Sequence, residues 1–196
     1  MSIGKVRKGR KNGEKMRTIQ SLLNEIDRQK NILYRVKAFF SYMSNDVIGC
    51  NMVGCGGYYR SKGLDVRIYF SRPITKEDVI QNNEISRWLN ENFIIRLFAL
   101  LESYGMYSKI DKELEGSEEI DILRRLRMIL AHSLGKYHPN DPDQRKLVDR
   151  IIRRMGLKMG DPAEFPLDID KVIDPLVRGC KKYIEAKSIQ EENESK

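Results

Sequence analysis

The sequence predicts a mainly α protein, an up-and-down helical bundle with a small β-hairpin inserted around residues 47–70. Three observations predict it. Apolar residues recur at three- and four-residue spacing over long stretches, as in helices that lay one face on a core. The segment from Val47 to Phe70 breaks that rhythm with glycines and then alternates apolar with polar residues, as a strand does. Helix start and stop signals fall between the periodic stretches.

Residues 1–16 are basic, glycine-dotted and nearly free of apolar residues, so a disordered arm is expected there. From Arg17 to Met43, positions such as Ile19, Leu22, Leu23, Ile26, Leu33, Val36 and Phe40 recur at helical spacing and predict one long amphipathic helix. In VIGCNMVGCGGYYRSKGLDVRIYF, residues 47–70, five glycines exclude a long helix, while Leu64, Val66, Ile68 and Phe70 alternate. A hairpin turning near Ser61-Lys62-Gly63 is expected. The glycine run is no phosphate loop, because no Gly-Lys-Ser/Thr follows it. Residues 17–74 are thus read as an N-terminal helix plus hairpin.

Residues 75–188 are read as the bundle. Thr75 with Asp78 forms a capping-box pattern, and Phe93, Ile94, Leu97, Leu100, Leu101 and Tyr104 build an apolar face that Gly105 ends. Trp88 and Phe98 are expected in the core. Ser117-Glu118-Glu119 opens the next helix, with carboxylates at the positive end of the dipole. Asp141-Pro142 opens another, closed by Gly156. The last helix is expected from about Asp170 to Lys187, with Asp174-Pro175 as an alternative start, since proline is tolerated only near a first turn. Residues 189–196 are read as a flexible tail.

The chain carries a formal net charge of +8. Residues 1–40 hold 11 Lys and Arg against 3 Asp and Glu, and the remainder is balanced at 25 of each sign. A basic arm of this kind gathers phosphates without reading sequence, or is simply a solvated leader. No apolar run approaches the roughly 20 residues of a membrane span, and the basic N-terminus lacks the apolar stretch of a secretory signal. Cys50, Cys55 and Cys180 make neither a disulfide framework nor a zinc site. A cytoplasmic protein without membrane, metal or cofactor is expected.

The one stretch dense in chemistry is Arg124–His138, RRLRMILAHSLGKYH, with three arginines and both histidines of the chain. A histidine moves protons near neutral pH, and an arginine holds a phosphate bidentately and offsets growing negative charge. Those are the groups that RNA cleavage without a metal requires. The helix dipole favours His132 as a cation, and the arginines beside it oppose that. Arg127 and His132 lie five residues apart, about 140° beyond one full turn. Arg125 lies seven residues before His132, within about 20° of the same face, so either arginine is eligible. Arg124, Lys136 and Tyr137 are candidate supporting or RNA-binding residues. Arg150, Arg153 and Arg154 either line an RNA path or pair with acidic neighbours.

RLRMILAH, preceded by FIIRLFALLESYG in the earlier helix and followed by a polar loop and two more helices, resembles the HEPN family (higher eukaryotes and prokaryotes nucleotide-binding). The resemblance covers roughly residues 80–188. It implies an all-α bundle with an Arg-x4-6-His motif near a helix end. It also implies a homodimer whose two motifs meet in one composite, metal-independent endoribonuclease site, with Arg127 and His132 as the catalytic pair. Toxin or antiviral roles, RNA as substrate and a nucleotidyltransferase-like antitoxin as partner are implied likewise. One position departs from the pattern: active members usually carry a polar residue after the arginine, where this chain has Met128. The alternative is therefore a catalytically silent HEPN module for dimerisation and for RNA or protein binding.

Overall fold

Four long helices frame the core, and caps coded in the sequence fix the start of one of them and both ends of the shorter helix that lies between the last two. The computed structural model describes residues 8–107, 109–132, 138, 140–157 and 167–194, with side chains from residue 19 onward except that of His132. In order come α1 (Lys8–Phe39), a 3-10 turn (Asn45–Val47), β1 (Met52–Gly54), α2 (Gly57–Ser61), β2 (Arg67–Tyr69), α3 (Lys76–Ser103), α4 (Ser117–His132), α5 (Pro142–Met155), a π-helical turn (Ile169–Ile173) and α6 (Asp174–Asn193). The chain is mainly helical with a small antiparallel two-stranded insertion.

The caps follow from residue chemistry. Thr75 and Asp78 exchange hydrogen bonds at the start of α3, the side chain of each satisfying the other's backbone N–H. Asp141 accepts from the backbone N–H groups of Asp143 and Gln144 ahead of Pro142. Gly156 ends α5 in the left-handed region at φ 64°, where a residue without Cβ carries no steric penalty.

Pairings place α1, α3, α4 and α6 around one core. Lys37 of α1 donates to the carbonyl of Ser86 at 2.9 Å and Asn82 donates to that of Ser41 at 2.8 Å, so α1 and α3 run antiparallel. Lys181 reaches Asp27 at 2.8 Å and Lys30 lies 3.6 Å from Asp174, so α6 runs antiparallel to α1. Ile26, Leu33, Ile94, Leu97, Leu101, Ile120, Leu123, Leu126, Ile151, Leu176, Val177, Tyr183 and Ile184 fill the space between. On burial their apolar surface leaves water, the main favourable term in folding. The N-terminus of α4 meets α6 at Gly116 and Gly179. A Cβ on Gly116 would collide with the Gly179 backbone, and one on Gly179 with the Glu119 side chain.

The insertion differs in detail from expectation. β1 and β2 pair with Met52 opposite Tyr69 and Gly54 opposite Arg67, but a helical turn, α2, replaces the tight turn at Ser61-Lys62-Gly63. That turn sends Tyr59 into the main core and brings the Tyr58 hydroxyl to Asp174 at 2.8 Å, where Tyr34 also donates. Two phenols, the buried one of Tyr34 and the half-buried one of Tyr58, bonded to one carboxylate thereby dock the insertion on α1 and α6.

Three further expectations are corrected. The helical backbone of α1 starts at Lys8, inside the segment read as a disordered arm, because extending an existing helix through Lys, Arg and Glu costs far less than nucleating one. α6 continues to Asn193, past the expected end at Lys187 and into the segment read as a flexible tail. Trp88 is 61% exposed and is no core residue, whereas Phe98 is buried. Inward positions in that half of α3 belong to Asn82, Ser86 and Asn90, whose polar groups bond neighbouring segments, and Trp88 falls on the opposite side. Among the described residues no helix is long and apolar enough to cross a membrane.

Candidate functional site

The outward face of α4 holds the residues in question because Ile120, Ile122, Leu123 and Leu126 turn inward and are buried. Glu118 and Glu119 stand in its first turn, where a carboxylate complements the helix dipole. Arg124, Arg125 and Met128 are exposed on the rest of the helix, and Arg127 is half-buried toward α3. His132 is the last residue of α4; its side chain, together with Lys136 and Tyr137, lies outside the described part of the structure.

The three arginines have different surroundings. Arg124 donates from Nη2 to Asp121 Oδ1 at 2.8 Å, and Arg125 from Nε to Asp121 Oδ2 at 3.0 Å. Arg150 of α5 adds Nη1 to Oδ2 of the same carboxylate at 2.5 Å and Nε to Glu118 Oε1 at 3.1 Å. Burial alone raises the Asp121 carboxyl, but the hydrogen bonds from Arg150 and Arg125 outweigh it, and the group sits below the ordinary carboxylate value. Arg154 joins the cluster through Glu119 at 2.5 Å. Arg150 and Arg154 are thus bound to acidic residues on α4, while Arg153 is exposed.

Arg127 has neither a hydrogen bond nor an ion pair to any described residue. Its guanidinium carbon lies 5.2 Å from the centre of the Phe98 ring on α3. Phe98 is in turn packed on Tyr107, ring centres 4.3 Å apart. A cation over an aromatic face is held by the ring quadrupole, which positions the charge without using the N–H donors, none of which is bonded to a described residue. Met128, the next residue, is 53% exposed. His138 is exposed and its backbone N–H is bound to Gln144 Oε1 at 2.9 Å, the role of a turn residue.

The sequence places Arg124, Arg125 and Arg127 together and leaves open whether Arg125 or Arg127 is the functional one. Asp121 settles the bonding of the first two. It stands three and four residues before Arg124 and Arg125, a spacing at which opposite charges meet on a helix, so this part was readable in advance. Phe98 under Arg127 is a tertiary contact and was not. Among the described residues, no group of three or more His, Cys, Asp and Glu side chains is arranged to hold a metal ion. No family model, no curated protein and no solved structure matches this chain.

Proposed function

We propose that the chain is a HEPN-type endoribonuclease that cleaves RNA without a metal, as a homodimer with a composite site, in a toxin or antiviral defence setting. The observation that carries this reading is the seating of Arg127. Of the three arginines preceding His132 on α4, it alone is free of a carboxylate among the described residues. His132 acts as general acid and base on the ribose 2′-hydroxyl and the leaving oxygen, and Arg127 holds the phosphate and offsets its growing charge. Five residues apart on a regular helix, the two do not share a face, so each site draws its arginine and its histidine from different copies.

The second reading, a silent HEPN module that binds RNA or protein, draws on Met128. An exposed methionine next to Arg127 can neither orient the guanidinium nor hold a water by hydrogen bonding. Incubation of RNA with the protein in EDTA separates the two. Cleavage by the wild type that is lost in His132→Ala supports the nuclease. RNA binding with no cleavage in any form supports the module, and cleavage undiminished in His132→Ala rejects the site.

A further inference from the structure

The first half of α3 has its polarity reversed. Asn82, Ser86 and Asn90 face inward and are buried, while Ile85 and Trp88 face outward at 41% and 61% exposure. On the neighbouring α1, Ile32 and Phe39 stand seven residues apart on one outward stripe at 48% and 52% exposure. The antiparallel pairing of Lys37 with Ser86 puts these four side chains in the same stretch of the bundle, within a span of about 10 Å along the helices. Monomeric surfaces rarely gather large apolar side chains into one patch, and such a patch marks an interaction site.

The rims of the patch carry opposite charge. On the α1 side stands exposed Arg35, and on the α3 side exposed Glu84; neither has an ion-pair partner among the described residues. A polyanion or an anionic membrane wants one sign of charge, so a surface of both signs fits neither. It fits itself. A two-fold axis along the helices lays α1 of each copy against α3 of the other, so that each arginine meets the other copy's glutamate across an apolar centre. A two-fold axis across the helices sets like charge on like.

We infer that this outer α1–α3 face is the surface on which a second copy of the chain docks, with Ile32, Phe39, Ile85 and Trp88 as its centre and Arg35–Glu84 pairs at its rims. Self-complementarity of this kind is what an isologous contact requires. Phe98, which carries Arg127, lies about 140° round α3 from Ile85, so this contact is separate from the one that would join two motifs, and it does not rest on the nuclease reading.

Trp88 is the sole tryptophan of the chain, and its emission therefore reports on this face alone. The full chain is diluted while emission and light-scattering mass are followed. A blue-shifted emission that moves red on dilution, together with a red emission and halved mass in Phe39→Lys and Ile85→Lys at all concentrations, supports the contact. Arg35→Glu is expected to weaken association about tenfold, and Arg35→Glu with Glu84→Arg to restore it. Far-UV circular dichroism checks that each variant is folded, as expected for exposed positions. A wild-type emission independent of concentration overturns the inference, as does a mass unchanged in both lysine variants. An exchange that fails to restore association does so too, and so does an emission shift that needs added RNA or another protein. Arg127→Ala leaves the mass unchanged whether or not the chain cleaves RNA.

Discussion

The guanidinium carbon of Arg127 stands 5.2 Å from the ring centre of Phe98, while Arg124 and Arg125 on the same helix share the single carboxylate of Asp121. One arginine is thus held by a face that accepts no hydrogen bond, and two are held by an acid. Phe98 serves the core and the site together: it is buried among the α3 residues that pack on α4, and it fixes the height of the cation above α3.

Phe98→Leu tests that double role. Leucine keeps most of the apolar volume, so the stability loss is expected near 1 kcal/mol. The seat for Arg127 is lost, and cleavage is expected to fall about tenfold, mostly in kcat. Thermal melts and single-turnover kinetics on one sample separate the two effects. An unchanged rate shows that Phe98 packs without positioning.

Asp121→Asn removes the acid that three arginines share. The α4–α5 contact then loses its central ion-pair network, and a loss of about 1–2 kcal/mol is expected, because the Asp121 side chain is mostly shielded from solvent. If the chain binds RNA as proposed, the freed arginines are expected to tighten that binding and steepen its salt dependence, by about one further phosphate contact per cation released. Binding isotherms at several salt concentrations read the slope. The carboxyl lies below its unfolded value, so this contribution is present above that value and is lost as pH falls through the folded one.

Gly179→Ala places a methyl against the Glu119 side chain, and Gly116→Ala places one against the Gly179 backbone at φ 84°. Both are expected to separate α4 from α6 and to cost about 3 kcal/mol or more, the range of overpacking combined with backbone strain. Chemical denaturation checks this. Gly63→Ala, at φ 78° with open space around it, carries the strain without the clash and is expected to cost about 1 kcal/mol.

Lys37 supplies a pH dependence. Burial pushes its amine down to about 8, although Asp168 nearby pulls the other way. The folded state therefore holds the proton less tightly than the unfolded chain, whose lysine titrates near 10.5. Between these values the unfolded state binds more protons, and stability rises with pH, at no more than about 1.4 kcal/mol per unit. Lys37→Met is expected to be more stable than wild type at pH 7 and to lose the rise between pH 8 and 10.5, as followed by denaturation at stepped pH.

Helix ends were legible because they are local. Thr75 and Asp78, Asp141 and Pro142, and Gly156 each act through neighbours in sequence, and the structure uses them as their spacing indicates. The hairpin was legible as strands but not as a connection, since α2 exists to bring Tyr58 and Tyr59 to partners that lie far along the chain at Asp174 and in the core. Trp88 misled because apolar character was read as inward, and only Ser41, Lys37 and Leu167, brought near by folding, explain why asparagine and serine hold those inward positions. At the candidate site the helix and its residues were legible, but Phe98 under Arg127 and Arg150 on Asp121 are long-range contacts that no spacing encodes.

The most direct test compares initial rates of RNA cleavage in EDTA for wild type, Arg125→Ala and Arg127→Ala, at matched fold content. The seating of Arg127 predicts a fall of about 10² or more for Arg127→Ala, the size of losing one transition-state donor, and less than about threefold for Arg125→Ala, a largely exposed ion pair. The reverse order, or equal rates in all three proteins, contradicts it.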